Sequence, residues 1–258
     1  MDIGTSKPSK PDLESVKHHF IDSLELDEPY DISRFESDAL KCLEEIFGTK
    51  QIAILCGGSG LYISAVCRGL DLLPPADQGI RKELEEQLAS QGIEALRRRL
   101  AELDPGYHAE VDLSNPHRMI RAIEVCLLTG SRYSVLRKGN VAKRPFNIVK
   151  IGLTEDRERL YEKINKRVDD MVGMGLVEEA RALYPKRHLN ALNTVGYSEL
   201  FMHFDGIITL EEAIELIKKN TRNYARRQIT WFNKDNDTRW FHPGDEESVI
   251  RYIAQRLL

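Results

Sequence analysis

Nowhere does the sequence contain a Gly-Lys-Thr or Gly-Lys-Ser, a Cys-x-x-Cys pair, a His-Glu-x-x-His, or an apolar run approaching the roughly 18 residues of a membrane helix. Each absence narrows the function. Without a lysine closing a glycine loop, the common phosphate cradle is not assembled in the usual way. Cys42, Cys56, Cys67 and Cys126 are scattered, which argues against a zinc site or a disulfide frame and points to reduced thiols in a cytoplasmic protein. The opening MDIGTSKPSK has no apolar segment, so nothing marks export. There is no internal repeat and no low-complexity tract.

What is present is an ordinary globular composition with uneven charge. The 258 residues are 41% hydrophobic and 30% charged, enough for one large or two small domains. Net charge is -4, but residues 1–48 hold 12 acidic against 5 basic side chains. Residues 115–144 hold seven Lys or Arg against Glu124 alone, and residues 218–234 hold six with no acid. Two such segments fit a localised polyanion site, or a pair of solvated helix faces.

QIAILC (51–56) has the length and apolar run of a buried strand, and SGLYISAVCRGL (59–70) continues as a helix. DISRFESDALKCLEEIF (31–47) is helical, so helix and strand form half of a βαβ unit whose earlier strand falls near residues 18–22 or before Met1. Residues 80–103 give two helices split at Gly92, Asn115 caps a third with Pro116 at its first position, and SRYSVLRKG gives a fourth. NIVKIGL (147–153) returns to strand, and residues 155–174 form a long helix. Thr209 and Glu212 make a capping box for another from 210 to about 233, with Lys219, Arg222 and Arg226 along one face.

Three stretches together carry a family resemblance: MDIGTSKP (1–8), GGSGLY (57–62) and RRQITWF (226–232). They resemble motifs of the tRNA dimethylallyltransferases, also called tRNA isopentenyltransferases. NPHRMIRAIEV (115–125) is similar to that family's tRNA-contacting helix, and NTVGYSEL (193–200) to its Gly-Tyr segment. RVDDMVGMGLVEEARAL (167–183) has its Arg, Met, Gly-Leu and Glu spacing. The resemblance implies an α/β fold: a P-loop-NTPase-like parallel sheet core, here N-terminally truncated, with a helical insertion domain and a helical C-terminal part. The boundaries expected are 1–76 for partial core, 77–144 for the insertion, and 145–258 for the return to core and C-terminal helices. It also implies transfer of a dimethylallyl group from dimethylallyl diphosphate to N6 of the adenosine beside the anticodon, with Mg²⁺, in a cytoplasmic monomer.

By the same resemblance, Arg167 grips the diphosphate, and Gly57, Gly58, Ser59 and Gly60 lie near base and donor. Arg81, His117, Arg118 and Arg121 contact tRNA from the insertion, and Gly196 and Tyr197 approach the anticodon arm. Arg226, Arg227 and Gln228 face tRNA, with Trp231 and Phe232 in the core. Asp2, Thr5 and Lys7 match the family opening and line the tRNA side. His18 and His19 with Asp22 imitate a metal site, but adjacent histidines point apart on a strand, and a structural role is expected.

The family's lysine-bearing G-P-T-x-x-G-K-T loop, and a D-S-x-Q-x-Y-R-G segment whose aspartate is the implied general base, both precede MDIGTSKP. The expectation is therefore that Met1 is an internal methionine of a longer protein. The competing readings are a truncated member that binds tRNA without transferring, and a nucleotide kinase of similar fold. RRQITWF weighs against the kinase.

Overall fold

The computed structural model describes residues 1–5, 7–139 and 141–257, so Ser6 of the MDIGTSKP stretch lies outside the described residues. Contacts divide the chain into two units, Met1–Ile63 with Phe146–Leu258, and Ser64–Pro145.

Local chemistry sets most of the helices. Ser9 and Asp12 form a capping box that starts α1 (Lys10–Ser15), and Asp31 caps α2 (Ile32–Phe47). After the glycine loop comes α3 (Gly60–Arg68). Asp77 caps α4 (Gln78–Gln91), and Gly92 separates it from α5 (Ile93–Leu103). The short α6 (Pro105–Glu110) begins at the Asp104 cap, a helix that periodicity did not reveal. Asn115 and Pro116 start α7 (Pro116–Thr129), which Gly130 ends in the left-handed conformation, and α8 (Tyr133–Leu136) follows. Beyond β1 (Ile151–Leu153) lie α9 (Arg157–Gly173), α10 (Leu176–Leu183) and α11 (Tyr197–Phe204). Thr209 and Glu212 cap α12 (Leu210–Phe232), with N–H bonds of 3.2 and 2.8 Å in the two directions. The chain closes with β2 (Arg239–Phe241) and α13 (Glu246–Leu257).

In the first unit, β1 and β2 pair in parallel with Ile151 opposite Arg239 and Leu153 opposite Phe241. The fold is thus α/β, mostly helical with a small parallel sheet. The strand expected over 147–153 narrows to three residues. The core of this unit lies among α9, α10, α11 and α12, where Val168, Leu176, Leu200, Phe201 and Ile217 are buried together. The second unit is a helical packet in which α4, α5, α6 and α7 surround Leu84, Leu96, Leu100, Met119 and Ile123. Buried Asp104 ties α6 to α8, accepting the Tyr107 N–H (3.0 Å), the Ser134 N–H (2.7 Å) and the Ser134 hydroxyl (2.8 Å).

Two expectations are corrected. Residues 51–56 are not a buried strand: Ile54 is 88% exposed, and no backbone hydrogen bond reaches Ile52–Gly57 among the described residues. An apolar run acquires strand character only when a neighbour pairs with it. Residues 18–22 are not a strand either. They turn, with Phe20 and Asp22 at φ 63° and 49°.

Amides of Ile52–Cys56 should exchange with solvent far faster than those of mid-α12, as measured by hydrogen exchange. Ile54→Thr should alter unfolding free energy by less than about 0.5 kcal/mol, whereas Leu96→Ala, in the second unit's core, should cost about 2–5 kcal/mol. A large cost at Ile54 would contradict the exposure of this segment.

Candidate functional site

The glycine loop and the end of α12, far apart in sequence, meet in space. The Gln228 side-chain amide donates to the Gly58 carbonyl at 3.0 Å, and a Cβ built on Gly58 would overlap that amide. A Cβ on Gly60 would overlap the Trp231 indole. None of Gly57, Gly58 and Gly60 has a positive φ. Gly58 and Gly60 are therefore glycine for close approach, not for unusual dihedrals. Gln228 faces this loop instead of projecting outward, and Trp231, expected in the core, stays 43% exposed beside it. Gly57 and Ser59 are exposed, and nothing lies within 4 Å of a Cβ placed on Gly57. The result is a small open ledge, with a Ser59 hydroxyl that forms no hydrogen bond among the described residues, a half-exposed indole and bare backbone.

Along α12, Arg226 and Arg227 are exposed. The Arg226 guanidinium donates to the Asn223 amide oxygen at 2.9 Å, and Arg227 lies over the Tyr224 ring at 5.7 Å. Arg222 turns inward to Asn165. Helix α9 packs against α12 and presents Arg167 to solvent, where its side chain forms no ion pair or hydrogen bond among the described residues. A planar fork left unengaged is the form in which arginine meets phosphate oxygens.

The basic residues of the helical unit divide into two groups. Glu124 is 0% exposed and collects the Asp77 N–H (2.8 Å), Arg81 (2.9 Å) and Arg121 (2.6 Å). Arg121 also donates to the Pro74 carbonyl at 2.7 Å. Burial alone would raise the Glu124 pKa, but the Arg81, Arg121 and Asp77 bonds outweigh it and hold the carboxyl below the usual range. Arg81 and Arg121, expected on RNA, are thus committed to a buried carboxylate of their own unit. The i,i+3 spacing of Arg121 and Glu124 was a visible signal of this pairing. His117 and Arg118, on the first turn of α7, are exposed, and their side chains form no ion pair or hydrogen bond among the described residues.

Gly196 and Tyr197 also differ from expectation. Tyr197 is fully buried, and its hydroxyl donates to Glu179 at 2.6 Å, so it does not face outward. Burial, then the Glu179 contact, pushes its pKa far above the usual tyrosine value. Gly196 takes φ 103°, which favours glycine, and its N–H donates to buried Glu199 at 2.8 Å. Glu199 also accepts from Asn220 of α12 at 2.7 Å, fastening α11 to α12. Glu179 and Glu199 were not named as site candidates, because neither has a spacing in sequence that shows the partners it meets in the fold.

Similarity to known proteins follows the same motifs. The sequence model of the family described as IPP transferase matches residues 1–235. The chain is a member of the IPP transferase family. The tRNA dimethylallyltransferase of Christiangramia forsetii is 46% identical over 258 residues, covering 100% of this chain and 85% of that protein. The tRNA dimethylallyltransferase 2 of Azobacteroides pseudotrichonymphae is 48% identical over 243 residues, covering 94% and 79% respectively. Among solved structures, the full-length tRNA isopentenylpyrophosphate transferase of Bacillus halodurans superposes with a TM-score of 0.70 at 38% identity, covering 100% of this chain and 84% of that one. A eukaryotic dimethylallyltransferase acting on tRNA shares the fold, with a TM-score of 0.75 at 22% identity over 98% of this chain and 67% of its own.

Gly60→Ala should destabilise the protein by about 1–3 kcal/mol, since the rigid indole has to move. In a Trp231→Ala background the same change should be neutral or stabilising, because alanine is otherwise the better helix former. Urea unfolding of the four proteins checks this; additive effects would separate the glycine from the indole. A second check concerns pH. Because the folded carboxyl of Glu124 is depressed, its contribution to stability is complete above the ordinary glutamate value and is lost as pH falls through the folded one. Glu124→Gln should therefore lower the wild-type melting temperature at pH 7 and converge with wild type in acid.

Proposed function

We infer that this chain is a tRNA dimethylallyltransferase, moving a dimethylallyl group from dimethylallyl diphosphate to N6 of the adenosine beside the anticodon. One observation carries the reading: Gln228 and Trp231 of RRQITWF seat directly on Gly58 and Gly60 of GGSGLY. Two stretches that mark the family in sequence thereby form one exposed ledge. The presence of RRQITWF also weighs against a nucleotide kinase of similar fold.

In the reaction, a bond forms between N6 and the primary allylic carbon, the carbon–oxygen bond to diphosphate breaks, and the N6 proton passes to solvent water or the departing diphosphate. The acceptor lies in a single-stranded loop, so lifting it from the stack costs only a few kcal/mol. The ledge offers what a lifted base needs: the Ser59 hydroxyl for an edge contact and the half-exposed Trp231 for a flat one. The leaving diphosphate needs fixed positive charge, a role the family resemblance gives to Arg167, whose guanidinium is exposed. Arg226, Arg227, Arg118 and His117 are proposed to meet the RNA backbone, Arg118 from the exposed start of α7. Arg81 and Arg121 then act indirectly, by holding that helix to α4 through Glu124.

Among the described residues no three His, Cys, Asp or Glu side chains come together to hold a cation. Mg²⁺ is more often held by one or two carboxylates together with substrate phosphates than by such a cluster, and no step is routed through it. Mg²⁺ is proposed only as a companion of the diphosphate in solution. A cytoplasmic monomer belongs to the same proposal. No helix among the described residues is long and apolar enough to cross a membrane.

The direct test incubates the chain with Mg²⁺, labelled donor and unmodified tRNA. Label in tRNA is the expected result; tRNA bound but unlabelled at saturating donor would contradict it. Arg167→Ala should lower turnover by about 10²-fold or more, while leaving tRNA affinity within about threefold. Weakened tRNA binding with unchanged turnover would refute the diphosphate assignment. Arg118→Ala should weaken binding of all tRNAs and reduce the salt slope by about one.

A further inference from the structure

The first loop of the chain is gripped by one half-buried carboxylate. Glu179, on α10, accepts the backbone N–H groups of Asp2 (2.8 Å), Ile3 (3.0 Å) and Gly4 (3.0 Å), and the Tyr197 hydroxyl at 2.6 Å. Three successive peptide N–H groups converging on one anion make the kind of concavity that elsewhere binds phosphate. Here the chain's own carboxylate fills it. A carboxylate has about four acceptor positions, and four donors reach this one. Burial would raise its pKa, but the Gly4, Tyr197, Asp2 and Ile3 donors hold it below the usual range, so it is charged throughout neutral pH. Gly4 has no room for a side chain, since a Cβ would overlap the Tyr197 ring and hydroxyl.

Further contacts extend the grip outward. The Thr5 hydroxyl donates to the Met1 carbonyl at 3.0 Å, and the Lys7 N–H to the Asp2 carbonyl at 3.2 Å. The Lys7 ammonium bridges Asp2 at 2.6 Å and Asp22 at 2.5 Å. Asp22 and Phe20 are non-glycine residues in the left-handed region, at φ 49° and 63°. Such conformations persist where the surroundings enforce them, and they cluster at functional segments. A continuous path thus runs from the buried Tyr197 hydroxyl through Glu179 and the Asp2–Gly4 backbone to Lys7 and a strained turn. Asp2 and Thr5, at the outer end of this path, are exposed.

A loop that served only to cover the core would not need three peptide groups fixed by one half-buried charge. We propose that Glu179 is a positioning residue for prenyl transfer, holding the Asp2–Gly4 backbone, and through Asp2 the Lys7 ammonium and the Asp22 turn, in the single conformation that meets the RNA acceptor. This rests on the transferase reading above. Tyr197 serves the same end by orienting the Glu179 carboxylate.

The test uses the full chain and two readouts: amide hydrogen exchange, and steady-state kinetics with unmodified tRNA and dimethylallyl diphosphate. Glu179→Gln keeps the size but turns an NH₂ toward peptide N–H donors. It should speed exchange at Ile3 and Gly4 at least tenfold and leave α12 unchanged. It should lower kcat/KM for tRNA at least tenfold and keep KM for the donor within about threefold. Glu179→Asp should recover part of both losses. Tyr197→Phe, nearly isosteric, should show the same pattern at a few-fold scale and carries both measurements if Glu179→Gln does not fold. Unchanged exchange at Ile3 and Gly4 would overturn the clamp. Faster loop exchange with wild-type kinetics, or faster exchange throughout α12 with losses toward both substrates alike, would reduce Glu179 to a structural role and overturn the proposal. A wild-type chain that transfers nothing to tRNA would instead remove the transferase reading and the catalytic half of this proposal with it, while the exchange measurement still decides whether Glu179 holds the loop.

Discussion

An indole and a side-chain amide resting on bare glycine backbone is the constraint on which the rest of the site depends. Trp231 and Gln228 can occupy their places only because Gly60 and Gly58 have no Cβ. Neither glycine has a positive φ, so their presence here signals contact and not conformational need. The contact brings the start of α3 against the last turns of α12. It leaves Ser59, Gly57 and part of the Trp231 indole accessible. Arg226 and Arg227 project from the same stretch of α12.

Charge is organised by the same separation of supporting and presenting groups. Glu124 and Glu179 each sit at the centre of several donors and fasten elements together from within. Each is ionised at neutral pH because converging donors outweigh burial. Arginines that complete such nodes are poor candidates for phosphate, since leaving would strand a buried carboxylate. Those outside the nodes, Arg118, Arg167, Arg226 and Arg227, remain available to a polyanion. The basic runs seen in sequence therefore contain both kinds, and only their partners distinguish them.

How much of this was legible beforehand depends on the range of the interaction. Helices announced by a local cap were readable: Asp31, Asn115 with Pro116, and Thr209 with Glu212 each start one as their side-chain chemistry dictates. The family motifs were readable because their order is itself a signal, and the matched region spans residues 1–235. QIAILC was misread because an apolar run reports a preference for burial but not the presence of a pairing neighbour. The pairing of Arg81 with Glu124 was not legible, because a basic residue 43 positions from its partner looks the same in sequence whether it meets RNA or a buried glutamate. The burial of Tyr197 was equally hard to read, since its partner Glu179 lies 18 residues away on another helix.

The central claim is that the ledge formed by GGSG and the end of α12 is where the RNA acceptor rests. Hydroxyl-radical footprinting of the chain, with and without an unmodified anticodon stem-loop, tests it most directly, because the half-exposed indole of Trp231 is a sensitive reporter there. The account predicts that bound RNA slows oxidation of Trp231 several-fold relative to Trp240, which lies on the sheet. Equal oxidation of Trp231 with saturating RNA bound would place the acceptor elsewhere and contradict it.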